Sequence, residues 1–247
     1  TVASEPASPE HAAADHGGEG GEGGEGGEGG EGGEGGVSGN PDVDYMTSLA
    51  LMKGHLNVAE ELIAAGDVEE AEPHIGHPVE EIYGGIEAQL AERNVPEFKT
   101  TLTELHDLAK SAPDSSQMSE QFKESEAAID GAIAALPADQ RESPEFVMAV
   151  INRTLKTAAE EYEAAIANDK IVEVVEYQDS RGFVLYAEEL YQTIAADMSS
   201  TDPDAHAAVL ANLQELKTAW PTVQPPLAPV KTPEEVNSLV SNIELQS

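Results

Sequence analysis

The chain has 247 residues, with 48 acidic and 12 basic side chains and a formal net charge of −36. A surface this acidic repels phosphate groups, which argues against binding to nucleic acid or to anionic membranes. There is no cysteine, which excludes disulfides, thiolate metal sites and cysteine nucleophiles, and no apolar run approaches the roughly 20 residues of a membrane-spanning helix.

Residues 1–40 form an acidic leader of low complexity. It contains six consecutive Gly-Gly-Glu units and nine acids without a base, so the rest of the chain still carries −27. Glycine-rich polar sequence cannot bury apolar surface, and the leader is therefore predicted to be disordered. If it were extended with three residues per turn, its six repeat glutamates would share one edge, as weak cation sites or as a surface for self-association.

The chain begins at Thr1 rather than at a methionine, and polar sequence follows. This is typical of a mature exported protein that has lost its signal peptide, or of a trimmed chain. We therefore expect a bacterial protein of the periplasm or the cell surface.

Apolar residues at helical spacing predict four helices between residues 41 and 136. Proline, glycine and capping residues set their ends. The predicted limits are Asn40 and Gly66, Asp67 and Asn94, Pro96 and Pro113, and about Gln117 and Leu136.

Residues 137–144, polar and bracketed by prolines, predict a boundary. Four further helices are expected beyond it, and the last begins at a Thr232–Glu235 capping box. A proline-rich connector, residues 221–229, precedes that helix. The residues predicted to cap these four helices are Ser143, Asp169, Asp202 and Thr232.

The two halves keep nearly the same order and spacing. At offsets of 102, 103 and 108 residues, Gly66-Asp67 matches Asn168-Asp169, Tyr83 matches Tyr186, and Leu102, Leu105 and Leu108 match Leu210, Leu213 and Leu216. No stretch shows the alternation of a strand. We therefore predict an all-α fold of two four-helix bundles, residues 41–136 and 144–245, related by internal duplication.

The halves differ most at a histidine pair in the first copy. His74, His77 and Glu81 are spaced to share one helix face, with Glu80 to one side. His55, one helix earlier, can approach across an interhelical gap. Imidazoles with a carboxylate suit iron, copper or zinc. We predict His74, His77 and Glu81 as metal ligands, with Glu80 and His55 as second choices.

A helical wheel favours another interpretation of the same residues. It places His74, His77 and Glu81 opposite the apolar stripe, which is typical of solvated or inter-bundle histidines. Pro73 and Pro78 make the wheel approximate. His106 and His206 are likewise predicted to be surface residues.

In the second half, Tyr177 and Arg181 share one face among apolar neighbours. A buried arginine needs a carboxylate partner, and Glu161, Glu173 and Glu176 are candidates. The alternative is a polar pocket for an anionic ligand or a metal chelate.

The stretch from Leu56 to Leu90 resembles imelysin-like proteins, including periplasmic iron-uptake lipoproteins related to them. The Ala65-Gly66-Asp67 turn and Glu80-Glu81-Ile82-Tyr83 fit the family outline. A family His-x-x-Glu motif has a match in His77-Pro78-Val79-Glu80, whereas the fuller Gly-x-His-x-x-Glu form does not match. The resemblance implies a duplicated two-bundle architecture and a metal-related role in the periplasm, with iron as the metal. It argues against peptidase activity.

No enzyme motif stands out, because a Gly-x-Ser-x-Gly elbow and a phosphate-binding loop are both lacking. The leading hypothesis is an exported helical protein that binds a metal ion without catalytic turnover. The alternative is a structural or self-assembling protein of the cell envelope that uses the acidic leader or the bundle faces.

Overall fold

A computed structural model describes residues 38–247. Helices make up most of this part, and the one hairpin within it has strands of two residues each. The predicted all-α class is confirmed. Residues 1–37, which hold nearly all of the acidic leader, lie outside the described residues. Within residues 38–247, the helices are too short or too polar to cross a membrane.

The helices of the first half follow the predicted order. They are α1 (Pro41–Ala65), α2 (Val68–His77), a π-helical turn (Pro78–Ile82), α3 (Tyr83–Glu92), α4 (Lys99–Ser111) and α5 (Met118–Ala134). The one-turn helix α6 (Ala138–Arg141) occupies the predicted boundary. The second half consists of α7 (Pro144–Ala164), β1 (Ile166–Ala167), β2 (Lys170–Ile171), α8 (Val174–Thr201), α9 (Pro203–Lys217) and α10 (Pro233–Glu244).

Several predicted helix ends are confirmed by their capping interactions. The side chain of Asn40 accepts hydrogen bonds from the first turn of α1, and Gly66 ends that helix with φ of 90°. A left-handed residue of this kind satisfies the last carbonyl groups of a helix, and glycine adopts it without steric cost. At α10 both hydrogen bonds of the Thr232–Glu235 capping box are present.

The predicted cap of the sixth helix is wrong. Asn168 and Asp169 have φ of 53° and 59° and form the turn of the β1–β2 hairpin, in which Ile166 pairs with Ile171. Two successive left-handed residues are typical of a type I′ turn, a conformation that Asn and Asp tolerate. Helix α8 consequently begins only at Val174.

The packing of α2 places its two histidines inside the protein. A π turn inserts a residue into the helical repeat, so a wheel drawn through it loses its phase. The wheel had placed His74 and His77 on a solvent face. Both are buried instead, with 0% and 6% of their surface exposed, because α2 packs between α1 and α4 and also contacts α8.

The helices of each half pack as a closed ring of four. In the first half the ring is α1, α2, α4 and α5, and in the second it is α7, α8, α9 and α10. Helix α1 also packs along both α7 and α8, which joins the two rings. The order of helices is the same in both rings, and an internal rotation that superposes residues 41–136 on 144–245 stays a prediction.

Candidate metal centre

Four side chains from both halves converge where α1, α2 and α8 meet. His55 lies on α1, His74 and His77 lie at the end of α2, and Asp179 lies on α8. Each offers one potential ligand atom, and these atoms all lie within 4.8 Å of one another. All four side chains are buried, so the group is closed to solvent.

The carboxylate of Asp179 is the centre of this group. Its Oδ1 atom lies 2.7 Å from Nδ1 of His55 and 2.6 Å from Nδ1 of His74. Its Oδ2 atom lies 3.3 Å from Nδ1 of His77. Each of these three histidines thus directs its Nδ1 atom at the same carboxylate. Ring packing supports this arrangement, since the His55 ring lies edge-on to both His77 and Phe183 at 4.9 Å.

The carboxylate is held in its charged form. Burial by itself raises the pKa of Asp179, but the positive charges and hydrogen bonds of His55 and His74 outweigh it and hold the pKa well below the usual range. A buried anion needs such partners because its hydration is lost. The group is therefore an anionic oxygen surrounded by imidazoles, which is also the composition of many metal-binding sites.

Two glycines allow α1 and α8 to come this close. Gly54 and Gly182 face each other at the crossing, and a Cβ atom on either would meet the backbone of the other helix. His55 directly follows Gly54, and Asp179 lies about one helical turn before Gly182. The crossing therefore brings His55 and Asp179 within hydrogen-bond distance although they are 124 residues apart in sequence.

The donor set fits a transition-metal ion. Among the described residues, none donates a hydrogen bond to Oδ2 of Asp179, which is buried. A buried carboxylate oxygen left without a donor is costly, and coordination to a cation would satisfy it. Three imidazoles and one carboxylate are ligands that iron, copper and zinc accept.

The structure brings together only some of the predicted ligands. His55, His74 and His77 belong to the group of four. Glu81 is half-buried and is not a member. Glu80 is exposed on another side of the helix, where its Oε1 lies 3.5 Å from Nδ1 of His106 and 3.8 Å from Nζ of Lys110.

Sequence reasoning missed Asp179. The internal repeat contained a usable signal, because residues 176–182 occupy the place in the second half that His74 and His77 occupy in the first. Because the repeat aligns Asp179 with the histidine pair, the carboxylate and the histidines could have been assigned to one metal site.

The prediction that His106 is a surface residue is wrong. Its ring is 5% exposed, packs against Gly76 and lies with Nε2 2.5 Å from Oε1 of Glu72. His106 thus ties α4 to α2. His206 is half-buried, and its Nδ1 lies 2.9 Å from the hydroxyl of Tyr191.

Arg181 makes the predicted kind of ion pair, but with a different partner. Its Nε and Nη2 atoms donate to the two carboxylate oxygens of Glu61 at 2.9 and 2.8 Å, and Nη1 donates to the carbonyl of Trp220 at 2.6 Å. Glu61 lies on α1, whereas the predicted partners were all in the second half. Burial raises the pKa of Tyr177, whose hydroxyl donates to the carbonyl of Thr222.

Comparison with protein families gives a match for the second half of the chain. Residues 137–247 match the family model described as the iron permease-associated 4-helix bundle domain. No curated protein and no solved structure matches the chain significantly. The second half, which contributes Asp179 to the group of four, is therefore similar to that iron permease-associated bundle domain. The imelysin-like resemblance stays a prediction.

Proposed function

We propose that this is an exported, iron-uptake-related protein that binds one metal ion between its two helical bundles and does not turn over a substrate. The observation that carries the proposal is the convergence of His55, His74, His77 and Asp179. Such a group places one carboxylate and three imidazole rings within reach of a single ion.

Iron is the proposed cargo, with copper and zinc as the alternatives. Imidazole and carboxylate donors accept all three metals, so the donor set alone does not choose among them. The family match of residues 137–247 favours iron, since its description associates such bundles with iron permeases. We propose that the protein holds iron that an iron permease takes up.

A binding role fits the burial of the group better than an enzymatic one. The four side chains are between 0% and 6% exposed, which leaves no open coordination position that a substrate can reach from solvent. Catalytic metal sites keep such a position, whereas closed sites hold the ion itself. The metal would also join the bundles, because its ligands come from helices of both.

Metal analysis of the native purified protein is the first test. We expect about one equivalent of iron per chain, and one equivalent of copper or zinc would support the site while rejecting iron as the cargo. Binding should weaken below about pH 6, because protons compete for the imidazole nitrogens. A native protein that neither carries nor takes up any of the three metals rejects the proposal.

Calorimetric titration of variants then tests the site. Asp179→Asn, and His74→Ala combined with His77→Ala, should each remove the bound equivalent. His206→Ala is a matched control, because His206 is half-buried and lies beside Tyr191 rather than in the group of four. An unchanged isotherm for the Asp179 and His74/His77 variants would place the metal elsewhere.

A further inference from the structure

A chain of hydrogen bonds leads outward from His74. Nε2 of His74 lies 2.8 Å from Oε1 of Gln178. The amide nitrogen of Gln178 donates to Oε2 of Glu70 at 3.1 Å. The same oxygen of Glu70 accepts from Gln224 at 2.8 Å, and Gln224 also donates to Asp67 at 2.9 Å. Gln178 is buried and Glu70 is exposed.

Glu70 determines which end of the Gln178 amide faces the histidine. A carboxylate only accepts hydrogen bonds, so it selects the NH₂ end of the amide. The carbonyl end of Gln178 is then the end that points at His74. A carbonyl also only accepts, and therefore Nε2 of His74 must carry a proton.

The proton on Nε2 decides which nitrogen is available for a metal. A neutral imidazole carries a proton on one nitrogen and a lone pair on the other. Nδ1 of His74 donates its proton in the 2.6 Å hydrogen bond to Oδ1 of Asp179. Because Gln178 keeps the proton on Nε2, Nδ1 is the nitrogen that can release its proton and present a lone pair to a metal ion. Hydrogen bonds of this kind orient metal-ligating histidines and commonly change metal affinity by about 10–100-fold.

We infer that Gln178, oriented by Glu70, is a positioning residue for the metal site and fixes His74 in the tautomer that offers Nδ1 to the ion. This inference rests on the proposed function. It adds a role for two residues that do not bind the metal. It also means that the bundle containing α8 contributes both a ligand, Asp179, and the residue that orients a ligand of the other bundle.

Zinc titration of three variants tests the inference. Gln178→Leu keeps the side-chain size but removes the acceptor, and zinc affinity should fall by about 10–100-fold. Glu70→Ala, at an exposed position, releases the amide without disturbing the core, and affinity should fall by roughly 3–10-fold. The double variant Glu70→Gln with Gln178→Glu exchanges the two groups. The new carboxylate at position 178 accepts from Nε2 of His74, and the new amide at position 70 donates to that carboxylate, so zinc affinity should return to within about threefold of the original.

Two controls separate orientation from folding. Gln121→Leu removes a glutamine that contacts Thr101 and Glu104 between α4 and α5, and zinc affinity should not change. In ¹⁵N spectra of the zinc-loaded protein, His74 should show zinc on Nδ1 and a slowly exchanging proton on Nε2. Gln178→Leu should lose that slow exchange while its helical circular dichroism stays unchanged.

The outcomes distinguish this inference from the proposed function. If the unaltered protein binds zinc but Gln178→Leu and Glu70→Ala bind it equally well, Gln178 has no positioning role and the metal site stands. Zinc on Nε2 of His74 would also overturn the inference. If the unaltered protein binds no zinc, iron or copper, the proposed function itself is wrong and the inference falls with it.

Discussion

Gly54 on α1 and Gly182 on α8 approach so closely that a Cβ atom on Gly182 would lie 2.2 Å from the carbonyl oxygen of Gly54. No side chain fits at that distance, so the crossing depends on glycine in both helices. This single contact sets the separation of the helices that carry His55 and Asp179. The geometry of the candidate metal centre therefore depends on two residues that offer it no ligand.

Gly182→Ala should weaken both folding and metal binding. The added methyl group must push α8 away from α1, and overpacking of this kind costs about 1–3 kcal/mol. The shift also moves Asp179 away from His55, so metal affinity should fall. Urea unfolding and metal titration measure the two effects.

Gly131→Ala is the matched control for that substitution. Gly131 is an exposed position in α5, and an added Cβ there meets nothing within 4 Å. Alanine is the better helix former, so stability should rise by about 0.5–1 kcal/mol with metal affinity unchanged. A Gly182→Ala protein as stable as this control would show that the crossing tolerates a side chain.

The Arg181–Glu61 pair should contribute measurably to the contact between the bundles. Arg181→Ala removes a bidentate contact and a hydrogen bond to Trp220, and we expect a loss of about 1–2 kcal/mol, since both partners are partly exposed. A double-mutant cycle with Glu61→Gln isolates the pair. Lys156→Ala, which breaks an exposed pair with Glu160, should cost at most about 0.5 kcal/mol. If Arg181→Ala and Lys156→Ala lose the same free energy of unfolding, the Arg181–Glu61 pair contributes no more than an exposed surface pair.

Glu126→Gln should stabilise the protein at neutral pH. Burial raises the pKa of Glu126, and only Lys53 among the neighbouring charges opposes that direction. The folded state therefore favours the protonated carboxyl, and this advantage is present below the unfolded pKa and is lost as the pH rises through the folded one. Glutamine cannot ionise, so the folded state no longer has to hold a charged carboxylate at this position. The free energy of unfolding should therefore rise by roughly 0.5 kcal/mol at pH 7, a small value because the group is partly exposed.

The pH dependence checks that sign. The difference between Glu126→Gln and the unaltered protein should shrink as the pH falls below the ordinary pKa of a glutamate, because the carboxyl is then protonated in both the folded and the unfolded state. Denaturant unfolding at pH 7, 5.5 and 4 measures it. A variant that is less stable than the unaltered protein at pH 7 would mean that the charged form of Glu126 stabilises the fold through Lys53.

Deleting residues 1–36 should leave the thermal stability and the oligomeric state unchanged, because residues 38–247 contain their own core. If the acidic leader mediates assembly instead, association of the full chain should increase with calcium or at lower pH, since glutamates must be neutralised before their chains approach. Light scattering of full-length and truncated protein, with and without millimolar calcium, measures this. Calcium-dependent association that requires the leader would favour the envelope-assembly function.

The sequence by itself determined the all-α class and the order of the helices. These depend on interactions within a few residues, such as the Asn40 cap, the left-handed Gly66 and the Thr232–Glu235 capping box. Local signals of this kind are readable because the interacting groups are neighbours in the chain. The sequence also singled out His55, His74 and His77 as chemically distinctive residues.

Only the tertiary structure decided how these residues meet. The packing of α2 against α1, α4 and α8 buried the histidines. The Gly54–Gly182 crossing supplied Asp179 from a helix 105 residues beyond His74, and the packing of α1 on α8 gave Arg181 a partner in the other bundle. A helical period shows which residues turn inward, but it carries no information about the helix they face, because that depends on the packing of distant surfaces.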